Sequence, residues 1–516
     1  MKSFIARHAD KVIGVLSGFD RVVFRGTLRP LAYVEGFRSF LWRRQVLLKD
    51  FGAFVRRTSD RLKLASLNLA AFANRPVIYL PSAATSKEEV ARKVLAEQPV
   101  ETGLICILES VEPCMTFDIH RNRCTKRLEL RSKLGKCKHL YHYFLDHRFG
   151  LASVRMQTWF PFSIQICMNG REWHARQMDR MGIEHVRRDN CFTRVGNLRL
   201  AQQLMDEQLQ IDWPEALDRF ADAVFPSRAD ILDDPTLDYY WSVHQSEWAT
   251  DVLFESSTDL AAIYPALVRH GITHFSSPDV MRFLGGKVHG AFKGEIISDF
   301  RDRPEGVRVK HRVRANSVKV YDKKGSVLRV ETTINDPAEF KVFRPVEGGD
   351  SEKKDWRPMR KGIADLHRRA QVSQASNERY LEALAAADVS TPLGELVSQV
   401  QRRAKIGNSK VRALRPLDPH DMSLLQAVNH GEFVVNGFRN RDIAEILYGS
   451  PPSLSKQRRA RTAKVTRQLR MLRAHGLIRR IPRTHRYHVT DKGRQIIGAL
   501  LTVREVSVKQ LDTAAA

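Results

Sequence analysis

Three carboxylates stand in surroundings suited to phosphodiester chemistry. Asp20 lies between two apolar runs in KVIGVLSGFDRVVFRGTL, and Glu109 and Asp118 fall in GLICILESVEPCMTFDIH. Carboxylates held in or beside strands bind Mg2+, which polarises a phosphate and readies an oxygen for in-line attack. Asp20, Glu109 and Asp118 would share one two-metal cluster. Separation along the chain does not bring them together, and surface or capping carboxylates are the plainer alternative.

The charge balance points to the same substrate class. The 516 residues carry 85 Lys and Arg against 58 Asp and Glu, a net charge of +27. A field of that sign concentrates phosphate polyanions, so nucleic acid is the expected partner, DNA ahead of RNA. Charges interrupt every hydrophobic stretch before it reaches the roughly 18 residues of a membrane span, and no signal-peptide core is present, so no membrane partner is expected. The expected location is cytoplasmic, nucleoid-associated if the source is bacterial. Six cysteines without a repeated close spacing suit a reducing compartment. Cys114, His120, Cys124, Cys137, His139 and His142 offer zinc ligands, although no tight Cys-x2-Cys pair is among them and buried thiols with ordinary surface histidines explain them more cheaply.

The elements that would position a polyanion are clearest near the C-terminus. From Lys456 to Arg494 there are fourteen Lys and Arg against one acid, Asp491. Within that stretch Val465, Leu469 and Leu472 recur at helical spacing, which predicts a helix near Lys456 to His475 ended by Gly476. Arg458, Arg461, Lys464, Arg467 and Arg470 lie largely off the apolar face. LIRRI and YHVT around the turn PRTHR predict a hairpin whose basic tip includes Arg483 and Arg486. Two shorter helices precede this helix, the second with Asn440 as N-cap and Gly449 at its end, and a last helix follows Thr490 and Asp491.

The segment VTRQLRMLRAHGLIRRIPRTHRYHVTDKGRQI resembles the recognition helix, wing and following helix of winged helix-turn-helix regulators such as the MarR-like group. The resemblance implies that the basic helix enters the major groove and that wing arginines reach the backbone or minor groove. A solvated charged helix, or a winged helix used for protein contacts, is the alternative.

Further upstream, VRVKHRVR alternates. Val307, Val309, His311 and Val313 face one way and Arg308, Lys310, Arg312 and Arg314 the other, a ladder of cations suited to a phosphate backbone or to keeping an edge strand from aggregating. NSVKVYDKKGSVLRVETTIND predicts a hairpin turning at Lys324-Gly325-Ser326, with Arg329 and Glu331 on its polar face. Tyr321-Asp322-Lys323 followed by Leu328-Arg329-Val330-Glu331 resembles a strand pair of rolling-circle replication initiators of plasmids and phages. That likeness implies metal binding by Glu331 and a tyrosine nucleophile that it does not identify. The placement of Asp20 beside a strand is similar to the way metal-dependent nucleases and transposases of the RNase H-like type present their carboxylates.

These readings give an α+β multidomain chain: a mixed α/β domain over 1–225, an α+β domain with a basic sheet face over 226–345, a linker and bridging helix over 346–415, and the winged helix over 416–510. The aromatic-rich run containing Tyr141, Tyr143, Phe144, Phe149, Trp159, Phe160, Phe162 and Trp173 would stack bases or fill a core. No phosphate-binding loop and no nucleophile elbow occur, so nucleotide hydrolysis and serine-hydrolase chemistry have no motif. The expected function is DNA binding through the winged helix, with the basic body on a second segment. The alternative is a mobile-element enzyme using Mg2+ for cleavage or strand transfer.

Overall fold

The computed structural model describes residues 1–516 except 227, 274, 276, 287–295, 302–306, 346–353, 386–392, 408, 417, 430–432, 434–436, 451, 482–483 and 506–516. It is an α+β protein of two compact units. One comprises Met1–Ala262, Phe283–Gly285 and Phe300–Glu382; the other comprises Ile263–Arg282, Gly286–Asp299 and Ala383–Ala516.

A single large sheet organises the first unit. In chain order its strands are β1 (Val12–Leu28), β2 (Val77–Leu80), β3 (Gly103–Arg121), β4 (Leu128–Asp146), β5 (Gly150–Gln157) and β6 (Ile164–Asn169). A small hairpin, β7 (His185–Arg187) and β8 (Phe192–Val195), interrupts the series before β9 (Tyr239–Phe254), β10 (Ile296–Arg301), β11 (Arg308–Val313), β12 (Asn316–Lys323) and β13 (Val327–Ile334). The spatial order is β10-β11-β12-β13-β9-β1-β6-β5-β4-β3-β2. The pairs from β11 through to β3 are antiparallel, and β2 joins β3 in parallel.

This order corrects the boundary expected at 225/226. β1 pairs with β9 almost end to end, from Val12 opposite Phe254 to Leu28 opposite Tyr239, so the proposed first and second domains share one sheet. The long apolar strands of the two segments need each other to satisfy their backbone groups. A second correction concerns β3, which runs unbroken where two strands around Glu109 to Pro113 were expected. Pro113 fits because β2 reaches only as far as Ser110, so its missing N–H removes no bond on that side.

Part of the expected linker is also ordered: β14 (Lys341–Pro345) pairs with β15 (Lys354–Pro358). The expected bridging helix, Leu366–Leu384, belongs through Glu382 to the first unit and packs on the sheet. There Asn377 meets Thr332 at 2.7 Å, Gln374 takes the Trp248 indole N–H at 2.8 Å, and Tyr380 meets His311 at 3.0 Å. The main core contains Phe37, Phe117, Phe160, Phe162, Trp213 and Phe220. None of the eight aromatics considered for base stacking is exposed; most fill this core or its borders. On β1, the helix Gly170–Arg180 comes so close that a Cβ at Gly170 would lie 1.9 Å from the Phe19 carbonyl oxygen. Only glycine permits that approach.

In the second unit, a short hairpin of β16 (Ala404–Ile406) and β17 (Ser409–Val411) is followed by the helices Pro419–Val428, Asn440–Tyr448 and Ser455–Ala474. Then come β18 (Ile478–Arg480), β19 (Tyr487–Val489) and the helix Asp491–Glu505. Leu424, Phe438, Ile443, Val465, Leu469, Leu472 and Ile497 form its core. The apolar stripe expected on the basic helix is therefore its buried face. Asn440 is the first helical residue and not the N-cap; Arg439 precedes the helix and its N–H donates to Asp442 at 2.7 Å. The Asn440 amide instead donates to Thr466 Oγ1 at 2.8 Å. Gly449 and Gly476 both adopt positive φ, 70° and 72°, where their helices stop.

Candidate metal centre and nucleic-acid interface

Three neighbouring strands, β1, β9 and β13, each contribute one carboxylate to a single cluster. Asp20 sits at an irregularity in β1 between Phe19 and Arg21, an extra residue that turns its side chain out of the simple alternation. Glu247 and Asp251 flank Ala249 on one face of β9, and Ala249 faces Glu331 across the β13 register. The small alanine leaves room between the larger groups. One carboxylate oxygen from each of Asp20, Glu247 and Glu331 lies within 4.8 Å of the others, the one group of metal-ligating type among the described residues.

Buried cations surround the acids. Arg329 is 0% exposed; its guanidinium donates to Asp251 at 2.6 and 2.8 Å, to Asp20 at 2.8 Å and to the Asn190 carbonyl at 2.7 Å. Arg171, also fully buried, meets Asp251 at 3.1 Å and the Ala249 carbonyl at 3.2 Å. From β12, Lys319 pairs with Glu331 at 2.7 Å and the Tyr321 hydroxyl donates to it at 2.9 Å. The Asn190 amide donates to Asp20 at 2.6 Å. Arg329 was expected on a polar hairpin face, yet all of β13 is buried, so that face is an interior ion network.

Asp20, Glu247, Asp251 and Glu331 thus face the buried or half-buried cations Arg171, Lys319 and Arg329, with the more exposed Arg21 also acting on Glu247. Burial raises the Asp20 carboxyl above its usual range despite Arg329. Burial and the nearby Glu331 push Glu247 up to about 7. Burial would raise Glu331 and Asp251 as well, but Lys319 holds the first below its usual value and Arg171 and Arg329 the second. Burial and Glu331 keep the Tyr321 phenol well above its ordinary value, so at neutral pH it is a protonated donor. Glu247, the acid pushed highest, takes a proton or a cation. An all-oxygen donor set suits a hard divalent ion such as Mg2+, which would compete with Lys319 for Glu331.

The metal grouping expected from sequence is therefore corrected. Asp20 and Glu331 meet, whereas Glu109 and Asp118 lie on β3, four strands from β1, roughly 19 Å at the usual strand spacing. Glu109 pairs with Lys138 at 2.8 Å and Asp118 with Lys133 at 2.9 Å. Glu247 escaped notice, although acids at 247 and 251 in one long strand share a face and carried the signal. The zinc set is not assembled. Cys114, Cys137 and His139 adjoin, with the two thiols 3.1 Å apart, but His142 bonds Ser66 and His120 and Cys124 are exposed near the β3–β4 turn.

The cationic candidates separate into two kinds. Arg459, Lys464, Arg467 and Arg470 are exposed on the helix Ser455–Ala474 and form no hydrogen bond or ion pair among the described residues. Arg461 differs: it donates to the carbonyls of Tyr448, Gly449 and Ser450 at 2.6 to 3.0 Å, holding the end of the preceding helix. Arg458 bonds the Pro452 carbonyl and Arg486 the Gly437 carbonyl. Arg483 lies outside the described residues. On β11, Val309, His311 and Val313 are buried while Arg308 and Lys310 are partly exposed and Arg312 is exposed, as the alternation implies. Arg314, in the turn after that strand, is 3.6 Å from Glu339. No helix among the described residues is long and apolar enough to cross a membrane.

Compared with models of protein families, with curated proteins and with solved structures, the chain matches none.

Proposed function

We propose that the protein binds duplex DNA, with its C-terminal unit acting as a winged helix. The observation that carries this reading is the set of exposed cations Arg459, Lys464, Arg467 and Arg470 on one helix, none in a hydrogen bond or ion pair among the described residues, although Lys464 lies 5.1 Å from the Tyr448 ring. The sequence of three helices, a two-stranded hairpin and a closing helix supports it. The long helix would lie in the major groove and the hairpin beside it on the backbone. Joint replacement of Lys464, Arg467 and Arg470 by alanine should lower the slope of log K against log salt by about 2 to 3, one near-unit step per lost phosphate contact. Arg461 is left intact in this test because its loss uncaps a helix. An unchanged slope in a gel-shift titration removes the helix from this role.

The convergence of Asp20, Glu247 and Glu331 favours a second activity, metal-dependent phosphodiester cleavage of the bound nucleic acid. These three residues would hold Mg2+, which supplies Lewis-acid stabilisation of a phosphate oxygen. Arg329 and Arg171 balance Asp251 and keep the carboxylates in place, and Tyr321 stays hydrogen-bonded to Glu331. The resemblance of this hairpin to rolling-circle initiators supports the reading, as does the adjacency of a tyrosine to the cluster. Labelled DNA incubated with Mg2+ or Mn2+ should yield products absent with EDTA and lost in Asp20→Asn and Glu331→Gln. Products that survive both substitutions place the chemistry elsewhere.

A further inference from the structure

The β3–β4 ribbon ends in a turn that neither activity above uses. Past Ser110 and His139 the two strands lose their outer partners β2 and β5 and continue as a two-stranded ribbon to Arg121 opposite Leu128. Phe117 and Leu130 fasten one face of the ribbon to the main core. Along the other face the charges cancel, Lys133 with Asp118 and Arg131 with Glu129. The turn does not cancel: Arg121, Arg123, Lys126 and Arg127 are all exposed and have no hydrogen bond or ion pair among the described residues from their side chains.

The turn is also built. The Asn122 side-chain oxygen accepts from the N–H groups of Cys124 and Thr125 at 2.9 and 3.1 Å, and its amide donates to Glu129 at 2.6 Å. The Asn122 N–H donates to the Arg127 carbonyl at 2.9 Å, and Lys126 holds φ of 55°. Four cations on a loop already fixed in shape lose little backbone freedom on meeting a ligand.

We infer that this turn is a second nucleic-acid contact, a β-ribbon tip that engages the phosphates of duplex DNA. The occupant follows from the charge and the shape: four unneutralised cations within seven residues, no acid among them, on a two-stranded ribbon of a width that grooves accept. The inference rests on the DNA-binding reading and adds a contact in the first unit.

Cys124 supplies the test. It lies at the centre of the turn and is the one exposed cysteine of the six. The full-length protein alkylated there with a photoactivatable azidophenacyl group should crosslink labelled duplex DNA on illumination, and Cys124→Ser should not. In parallel, replacing Arg121, Arg123, Lys126 and Arg127 by alanine should lower the salt slope by about 3 to 4. If the wild-type chain binds no duplex, the functional reading fails and takes the tip with it. If the wild type binds but neither crosslinks nor loses slope in the alanine variant, the tip is overturned while the DNA-binding reading stands. Crosslinking to phosphatidylserine vesicles with duplex binding unchanged would also overturn it in favour of a lipid surface.

Discussion

Arg329→Ala should cost the first unit about 3 to 5 kcal/mol, the loss that follows when one partner of a buried ion network is removed and the others stay behind. Among the described residues Arg329 is the one side chain hydrogen-bonded to both Asp20 and Asp251, through 2.8 Å and paired 2.6 and 2.8 Å bonds. Without it Asp251 keeps Arg171 at 3.1 Å, but Asp20 keeps no cation closer than the 3.9 Å of Arg171. Asp20, a buried side chain, then takes up a proton or draws in water, each at a cost. Urea unfolding followed by a probe in the first unit would read the loss as a fall in midpoint. A double-mutant cycle with Asp251→Asn should show coupling, since the neutral amide no longer needs the guanidinium. A loss below about 1 kcal/mol would mean that Arg171 alone balances the site.

The same network shows what a sequence yields and where it stops. The alternation Val309, His311, Val313 identified a buried face because a strand in register with a core must alternate, and β11 does. The basic helix was legible because 3.6-residue periodicity separates Val465, Leu469 and Leu472 from the cations around them. Asp20 and Glu331 were noticed as charges in strands, but their meeting depends on which strands neighbour one another. Chain order gave no hint that β9, more than 200 residues after β1, lies between β1 and β13. The same missing information joined Asp20 to Glu109 and Asp118, which lie far across the sheet. It also divided one sheet into two domains at 225/226. Arg461 illustrates the limit at the level of a single side chain: its charge was visible, whereas its bonds to the end of the neighbouring helix depend on a crossing that no local pattern specifies.

Glu247 should make the stability of the first unit depend on pH in an unusual direction. Its carboxyl is raised from the ordinary 4.5 to about 7 by burial and by Glu331. The folded chain therefore holds this proton more tightly than the unfolded chain does. Its contribution is fully present below pH 4.5 and is lost as pH rises through about 7. The span corresponds to on the order of 2 to 3 kcal/mol, the lower end applying because Glu247 is partly open to solvent. Glu247→Gln should remove this slope and make the unit more stable than wild type above pH 7 in EDTA. A divalent cation should act on the wild-type protein as the proton does, because either one neutralises Glu247. Mn2+ at pH 7.5 should then raise the wild-type melting temperature with increasing concentration and leave Glu247→Gln nearly unchanged. Near pH 5.5 the same Mn2+ should achieve less, since it must displace a proton from Glu247 to bind. Proton and metal competing for one carboxylate is a signature that a purely structural ion network lacks. A pH slope removed by Glu247→Gln but untouched by Mn2+ would leave Asp20, Glu247 and Glu331 as packing for Arg329 and Lys319 and withdraw the metal from the site.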